Sequence, residues 1–133
     1  MLKKIFEGKS LKEISQETGI PLSTLYYKLR KLKEEGILKE KIEISWEKIG
    51  YQIRAIVLIE TENTSLSDQE KIIKEISKID GILSGKIVSG RYDIMIEIVS
   101  KDLNEFSKKL DIIKKIKGIK RTETLFILGE KEC

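Results

Sequence analysis

The sequence has no histidine, one cysteine and one proline. Without histidine it lacks the commonest general base and the commonest metal ligand, and no Ser-His or Cys-His pair can be built. The single thiol, Cys133, is the last residue, so neither an intrachain disulfide nor a metal-binding thiolate cluster is open to the chain. It reads as a frayed terminal thiol. No apolar run approaches the ~20 residues that span a bilayer, and Met1-Leu2-Lys3-Lys4 leads into charged sequence instead of a signal-peptide core. These absences count against an enzyme, a metal site, a resident cofactor and a membrane partner. They point to the cytoplasm.

What is present is charge on an apolar framework. Of 133 residues, 40% are hydrophobic and 36% charged, enough to bury a core in one domain or two small ones. The net charge of +4 is uneven, with nine Lys/Arg against six Asp/Glu in residues 1–40 and seventeen against sixteen in the rest. A cationic front suits nucleic acid, although a Lys/Glu/Ile-rich thermophilic surface has the same look.

Residues 1–38 read as a helix-turn-helix head. Ser10-Leu11-Lys12-Glu13 is a capping-box pattern that starts a helix, and Thr18-Gly19 ends it where glycine tolerates a left-handed turn. Ile20 points back inward, and Pro21 fixes the entry of a second helix, Leu22 to Glu35. Leu25, Leu29 and Leu32 form its apolar stripe, and Gly36 closes it. At 100° per residue the opposite side carries Ser23, Tyr27, Arg30 and Lys31, flanked by Thr24, Tyr26 and Lys28, with no acid from Leu22 to Lys33. Arginine can pair with guanine in two-pronged fashion, hydroxyls near a helix N-terminus can bond to bases or phosphates, and lysines meet phosphates. These seven residues are the expected face for double-stranded DNA. A solvated helix in an ordinary helical hairpin is the alternative.

Residues 39–50 read as a linker strand or hinge: Ile37 to Ile44 alternates as a strand or extended segment, and Trp46 to Gly50 turns. Residues 51–133 then give two strand-helix-strand units. The expected strands are 51–60, 82–89, 91–99 and 120–128. One helix is opened by Ser67-Asp68-Gln69-Glu70, faces the core with Ile72, Ile73, Ile76 and Ile79, and ends at Gly81. The other is capped by Asp102 with Glu105, carries Leu103, Phe106, Leu110 and Ile113, and ends at Gly118. Ile79-Asp80-Gly81-Ile82 and Ile116-Lys117-Gly118-Ile119 occupy matching junctions. The fold class is therefore α+β, a ferredoxin-like βαββαβ domain behind a helical head. Both helices of such a domain cover one sheet face, yet the strands are apolar on both faces, as in Ile94, Ile96 and Ile98 against Met95 and Val99. The uncovered face predicts a homodimer built through the sheet.

Ile14 to Leu38, Trp46 to Tyr51, Val88 to Ile94 and Arg121 to Leu128 resemble the Lrp/AsnC (leucine-responsive, or feast/famine) transcription regulators, over nearly the whole chain. The resemblance implies a sequence-specific DNA-binding regulator, a dimer able to assemble further, up to an octamer. It also implies a small-molecule effector such as an amino acid, held near a Gly-x-Tyr-Asp turn and a Thr-x-Thr strand. Those positions are Gly90, Tyr92, Asp93, Thr122 and Thr124 here, with Ser89 and Arg91 in the same turn. Glycine allows close backbone approach, Asp93 can receive an ammonium, and the threonines offer hydroxyls. A plain hairpin turn, with Asp93 bonding backbone N–H groups, is the other reading. The chain departs from the family in opening on a stub, Met1 to Phe6, where a longer acidic helix is usual. Pro21 stands where a Ser or Thr cap is common, and Tyr26-Tyr27 where basic residues are common. Siroheme decarboxylases resemble the same two-part architecture, although the missing histidine opposes tetrapyrrole chemistry. A non-specific architectural DNA-coating protein is a third expectation.

Overall fold

The computed structural model describes residues 2–62 and 64–131. Cys133 lies outside the described residues. Two compact units divide between Glu43 and Ile44, inside the expected linker.

The head holds three helices, α1 (Leu2–Phe6), α2 (Leu11–Thr18) and α3 (Leu22–Glu34). Ser10 caps α2 by accepting from the Glu13 N–H at 3.2 Å, the forward half of the expected box. Gly19 ends it at φ 73°, a left-handed conformation that turns the chain sharply into α3 without a Cβ penalty. Two hydroxyls tie this turn: Ser15 donates to the Ile20 carbonyl at 2.6 Å and Thr18 to the Ile14 carbonyl at 2.7 Å. Ile14 and Leu25 are wholly buried where α2 packs on α3. The stub α1 is tied to α2 by Glu17, which accepts from Lys4 at 2.6 Å and Lys9 at 2.7 Å.

No strand forms over residues 37–44: residues 37 and 38 bend, their N–H groups donating back to the Leu32 carbonyl, and residues 39–45 carry no regular structure. A 3-10 turn, Trp46–Ile49, follows, and Trp46 meets Tyr51 edge-on with ring centroids 5.3 Å apart. Tyr51 thus precedes the first strand instead of opening it.

The second unit runs β1 (Ile53–Thr61), α4 (Leu66–Ile76), β2 (Ile82–Ile87), β3 (Ile94–Ser100), α5 (Leu103–Lys114) and β4 (Ile119–Phe126). All pairings are antiparallel, in the order β2-β3-β1-β4, which is the ferredoxin-like arrangement. Ala55, Val57 and Ile59 of β1 and Ile94, Ile96 and Ile98 of β3 are buried on the helix side, against Ile72 and Ile76 of α4 and Phe106 and Ile113 of α5.

Several boundaries differ from expectation. The cap of α4 is Ser65, not Ser67. Its hydroxyl accepts from the Asp68 N–H at 3.2 Å and the Asp68 carboxylate accepts from the Ser65 N–H at 3.3 Å. Gln69 lies on the buried face one turn ahead of Ile72 and Ile73, where its amide donates to Thr61 at 3.4 Å. Helix α4 stops at Ile76 and the chain turns through residues 77–80 before Gly81. Leu103 lies on the outer side of α5, 57% exposed. Strand β3 begins at Ile94 because residues 88–93 form a connection closed by the Val88 N–H donating to the Asp93 carbonyl at 2.9 Å.

Candidate nucleic-acid interface and effector site

Helix α3 separates two chemistries. Leu25 is wholly buried and Leu29 and Leu32 are half-buried, whereas Ser23, Tyr26, Tyr27, Lys28, Arg30 and Lys31 are exposed and Thr24 is half-buried at the edge. The expected seven therefore share the free side of one helix. Pro21 precedes that helix and supplies no side-chain cap, so the first backbone N–H groups of α3 stay available beside Ser23 and Thr24. Lys31 sits over the Tyr27 ring at 5.6 Å, which orients both side chains outward together. The last turn carries Lys31 and Lys33, and Lys33 is held by Glu40 at 2.5 Å. Arg30 is left as the fork-shaped donor of this surface.

The residues expected around an effector are not gathered into one pocket of a single chain. Ser89, Gly90 and Arg91 are exposed in the β2–β3 connection, where Gly90 has φ 125°. Arg91 lies 5.7 Å from the Tyr92 ring, and the Tyr92 hydroxyl donates to Glu123 at 2.5 Å, which raises the phenol pKa. Glu123 pairs with Leu58 across the ladder, on the sheet face away from α4 and α5. Thr122 and Thr124 pair with Ile59 and Val57 and so lie on the opposite, helix-covered face, both half-buried. Asp93 is committed within the chain: one carboxylate oxygen accepts from the Thr61 N–H at 2.8 Å and its hydroxyl at 3.0 Å. The turn is thus anchored to the end of β1, and the anchor, Thr61, is a residue that sequence reasoning missed. Its signal would have been a hydroxyl at a strand end, which is too common to single out.

The sheet face away from α4 and α5 carries Ile56, Leu58 and Met95, half-buried, and Val99, wholly buried, with Leu125 47% exposed. Charges ring it: Arg54 pairs with Glu97 at 2.7 Å and Glu130 at 2.6 Å, and Arg121 with Glu60 at 2.7 Å. Among the described residues, no group of three His, Cys, Asp or Glu side chains could hold a metal, and no helix is long and apolar enough to cross a membrane.

A helix-turn-helix head joined to a ferredoxin-like domain is a build used by transcription regulators. Residues 5–41 match the family model for a helix-turn-helix domain, and residues 54–132, more than half the chain, match the Lrp/AsnC ligand binding domain. The HTH-type transcriptional regulator FL11 of Pyrococcus horikoshii is 32% identical over 124 residues, covering 92% of this chain and 80% of FL11. Among solved structures, PH0061 superposes with a TM-score of 0.77 at 28% identity, covering 99% of this chain and 91% of that one. The transcriptional regulator NMB0573 of Neisseria meningitidis, solved as an L-Met complex, shares the fold with a TM-score of 0.78 at 19% identity over 99% of this chain and 86% of its own. The chain belongs to the Lrp/AsnC family of transcriptional regulators.

Proposed function

We propose that the protein binds double-stranded DNA sequence-specifically as a homodimer or higher multimer, and that an amino acid or related small metabolite modulates it. The observation that carries this reading is the division of α3, with Leu25 buried and Tyr27, Arg30 and Lys31 free on the other side. Arg30 meets a base edge, its forked donors matching guanine, Lys28 and Lys31 meet phosphates, and Ser23 and Thr24 bond at the helix N-terminus. The dimer forms through the uncovered face of the sheet and sets two α3 helices against two half-sites.

Support for an effector comes from the family's ligand-binding domain and from the L-methionine bound by NMB0573. Since Tyr92 meets Glu123 on one side of the sheet and Thr122 lies on the other, an effector that touches both the Tyr92 ring and the Thr122 hydroxyl requires a second subunit to complete its site.

Gel-shift titration of Arg30→Ala and Lys31→Ala on a selected site and on random duplex tests the DNA reading. Arg30→Ala loses ~1–3 kcal/mol on the selected site and relaxes one base position, and Lys31→Ala weakens all duplexes alike and lowers the salt slope by about one. Equal losses for Arg30→Ala on both duplexes would contradict it.

A further inference from the structure

In the second unit a cleft of about 500 Å³ opens between α4 and the α5–β4 junction. Its lining includes Thr64, Lys71, Ile72, Ile116, Lys117 and Gly118. The size is that of a small-molecule site, and the mixture of apolar surface with a few polar groups is what such sites use to bind and orient a ligand.

The charges on its rim are unequal in their commitments. Asp68 and Glu75 also line the cleft, but Asp68 accepts from the Ser65 N–H at 3.3 Å and its hydroxyl at 3.0 Å, and Glu75 is paired with Lys78 at 2.9 Å. The Ser65 bonds hold the Asp68 carboxyl below its ordinary range, so it stays an anion already satisfied by the helix cap. Lys71 and Lys117, by contrast, make no hydrogen bond or ion pair among the described residues, and Lys71 acts on Asp68 only through its charge. Both carboxylates thus have partners within the chain, and the two ammonium groups make no such bond among the described residues. An apolar floor of Ile72 and Ile116 beneath two uncommitted cations fits a small organic anion with a hydrocarbon tail.

The rim is also joined to the turn on the far side of β1. The Glu62 N–H donates to the Gly118 carbonyl at 2.9 Å, and the Thr64 and Thr61 hydroxyls share a hydrogen bond of 2.9 Å. Thr61 in turn holds Asp93. A ligand that fixes Thr64 and Gly118 therefore braces the base of the Gly90–Asp93 connection.

We infer that this cleft is a ligand site for a small carboxylate bearing a compact apolar chain, with Lys71 and Lys117 holding the carboxylate and Ile72 and Ile116 the chain. The site is separate from the effector position at the turn and the Thr-x-Thr strand, and it stands without the DNA reading.

The test is calorimetry and amide-resolved NMR on the full chain with 4-methyl-2-oxopentanoate, L-leucine and the uncharged 4-methylpentanamide. Both carboxylates should move the amides of Lys71, Ile72, Lys117 and Gly118, and the amide probe should bind at least ~10-fold more weakly. The stronger of the two acids tells whether an α-amino group is wanted. A Lys71→Gln/Lys117→Gln double variant, altered only at exposed side chains, should lose ~10-fold or more in affinity with its melting temperature unchanged. Shifts confined to residues 89–93 and 122–124 would overturn the cleft as the site and leave the effector reading standing. Equal binding of acid and amide, an unaffected double variant, or no shift with any probe would each overturn the inference.

Discussion

Gly81 and Gly118 stand at equivalent junctions of the two halves but meet different surroundings. A Cβ on Gly81, at φ 91°, would lie 2.4 Å from the Val99 carbonyl oxygen and 2.7 Å from the Lys109 ammonium. On Gly118, at φ 98°, the nearest atom is a methyl of Ile72 at 3.1 Å, which can move. Gly118→Ala should cost ~1–2 kcal/mol from backbone strain alone, and Gly81→Ala clearly more, at least ~3 kcal/mol, when both are compared by urea unfolding. Equal costs would contradict the close packing at Gly81. That packing depends on Lys109, 7% exposed, which donates to the Val99 carbonyl at 3.1 Å and pairs with Glu105 at 2.8 Å. The periodic pattern hid this lysine, because a charge beside Phe106 and Leu110 reads as helix surface until the carbonyl it satisfies is known. Glu17 shows a different residue-scale effect. Hydrogen bonds from Lys4 and Lys9 lower its carboxyl pKa to about 2, below its unfolded value. A lowered pKa stabilises the head above pH ~4.5 and the contribution fades as pH falls toward 2. NMR titration should place its midpoint near 2, and Glu17→Gln should flatten the acid dependence in that window. A midpoint near 4.5 would contradict both the Lys4 and the Lys9 bonds to Glu17.

At the scale of elements, the capping of α4 separates a pattern from the bonds that realise it. Ser67-x-x-Glu70 and Ser65-x-x-Asp68 both spell a box, and only the second is formed. Ser65→Ala should therefore lower stability by ~1 kcal/mol and Ser67→Ala by no more than ~0.5 kcal/mol, read from thermal unfolding. The reverse order would restore the later start. Helix α3 and the four strands were legible because leucine and isoleucine spacing is carried by buried positions such as Leu25, Val57 and Ile96, where burial enforces the period. Boundaries were less so. Strand β3 loses Arg91–Asp93 to a turn that depends on Thr61, thirty-two residues from Asp93. The α3 face was readable from helical geometry alone. The division of the effector residues between two sheet faces was not, since it follows from the Thr122–Ile59 and Glu123–Leu58 register.

For the whole molecule, the uncovered sheet face and the α3 surface form one requirement, since a helix-turn-helix reads a two-part site only when two copies are held together. Leu58 and Met95 face each other at the centre of the uncovered side. Leu58→Arg should yield monomers in sedimentation equilibrium that keep the native circular dichroism and lose tight operator binding. Persistence of the dimer would move the interface elsewhere.

Selection of bound duplexes from a random pool tests the central claim most directly. The account predicts enrichment of a pseudo-palindrome with half-sites about one helical turn, ~10 base pairs, apart, and loss of one base preference in each half with Arg30→Ala. A pool that stays random after repeated selection, with binding governed by salt alone, would contradict it.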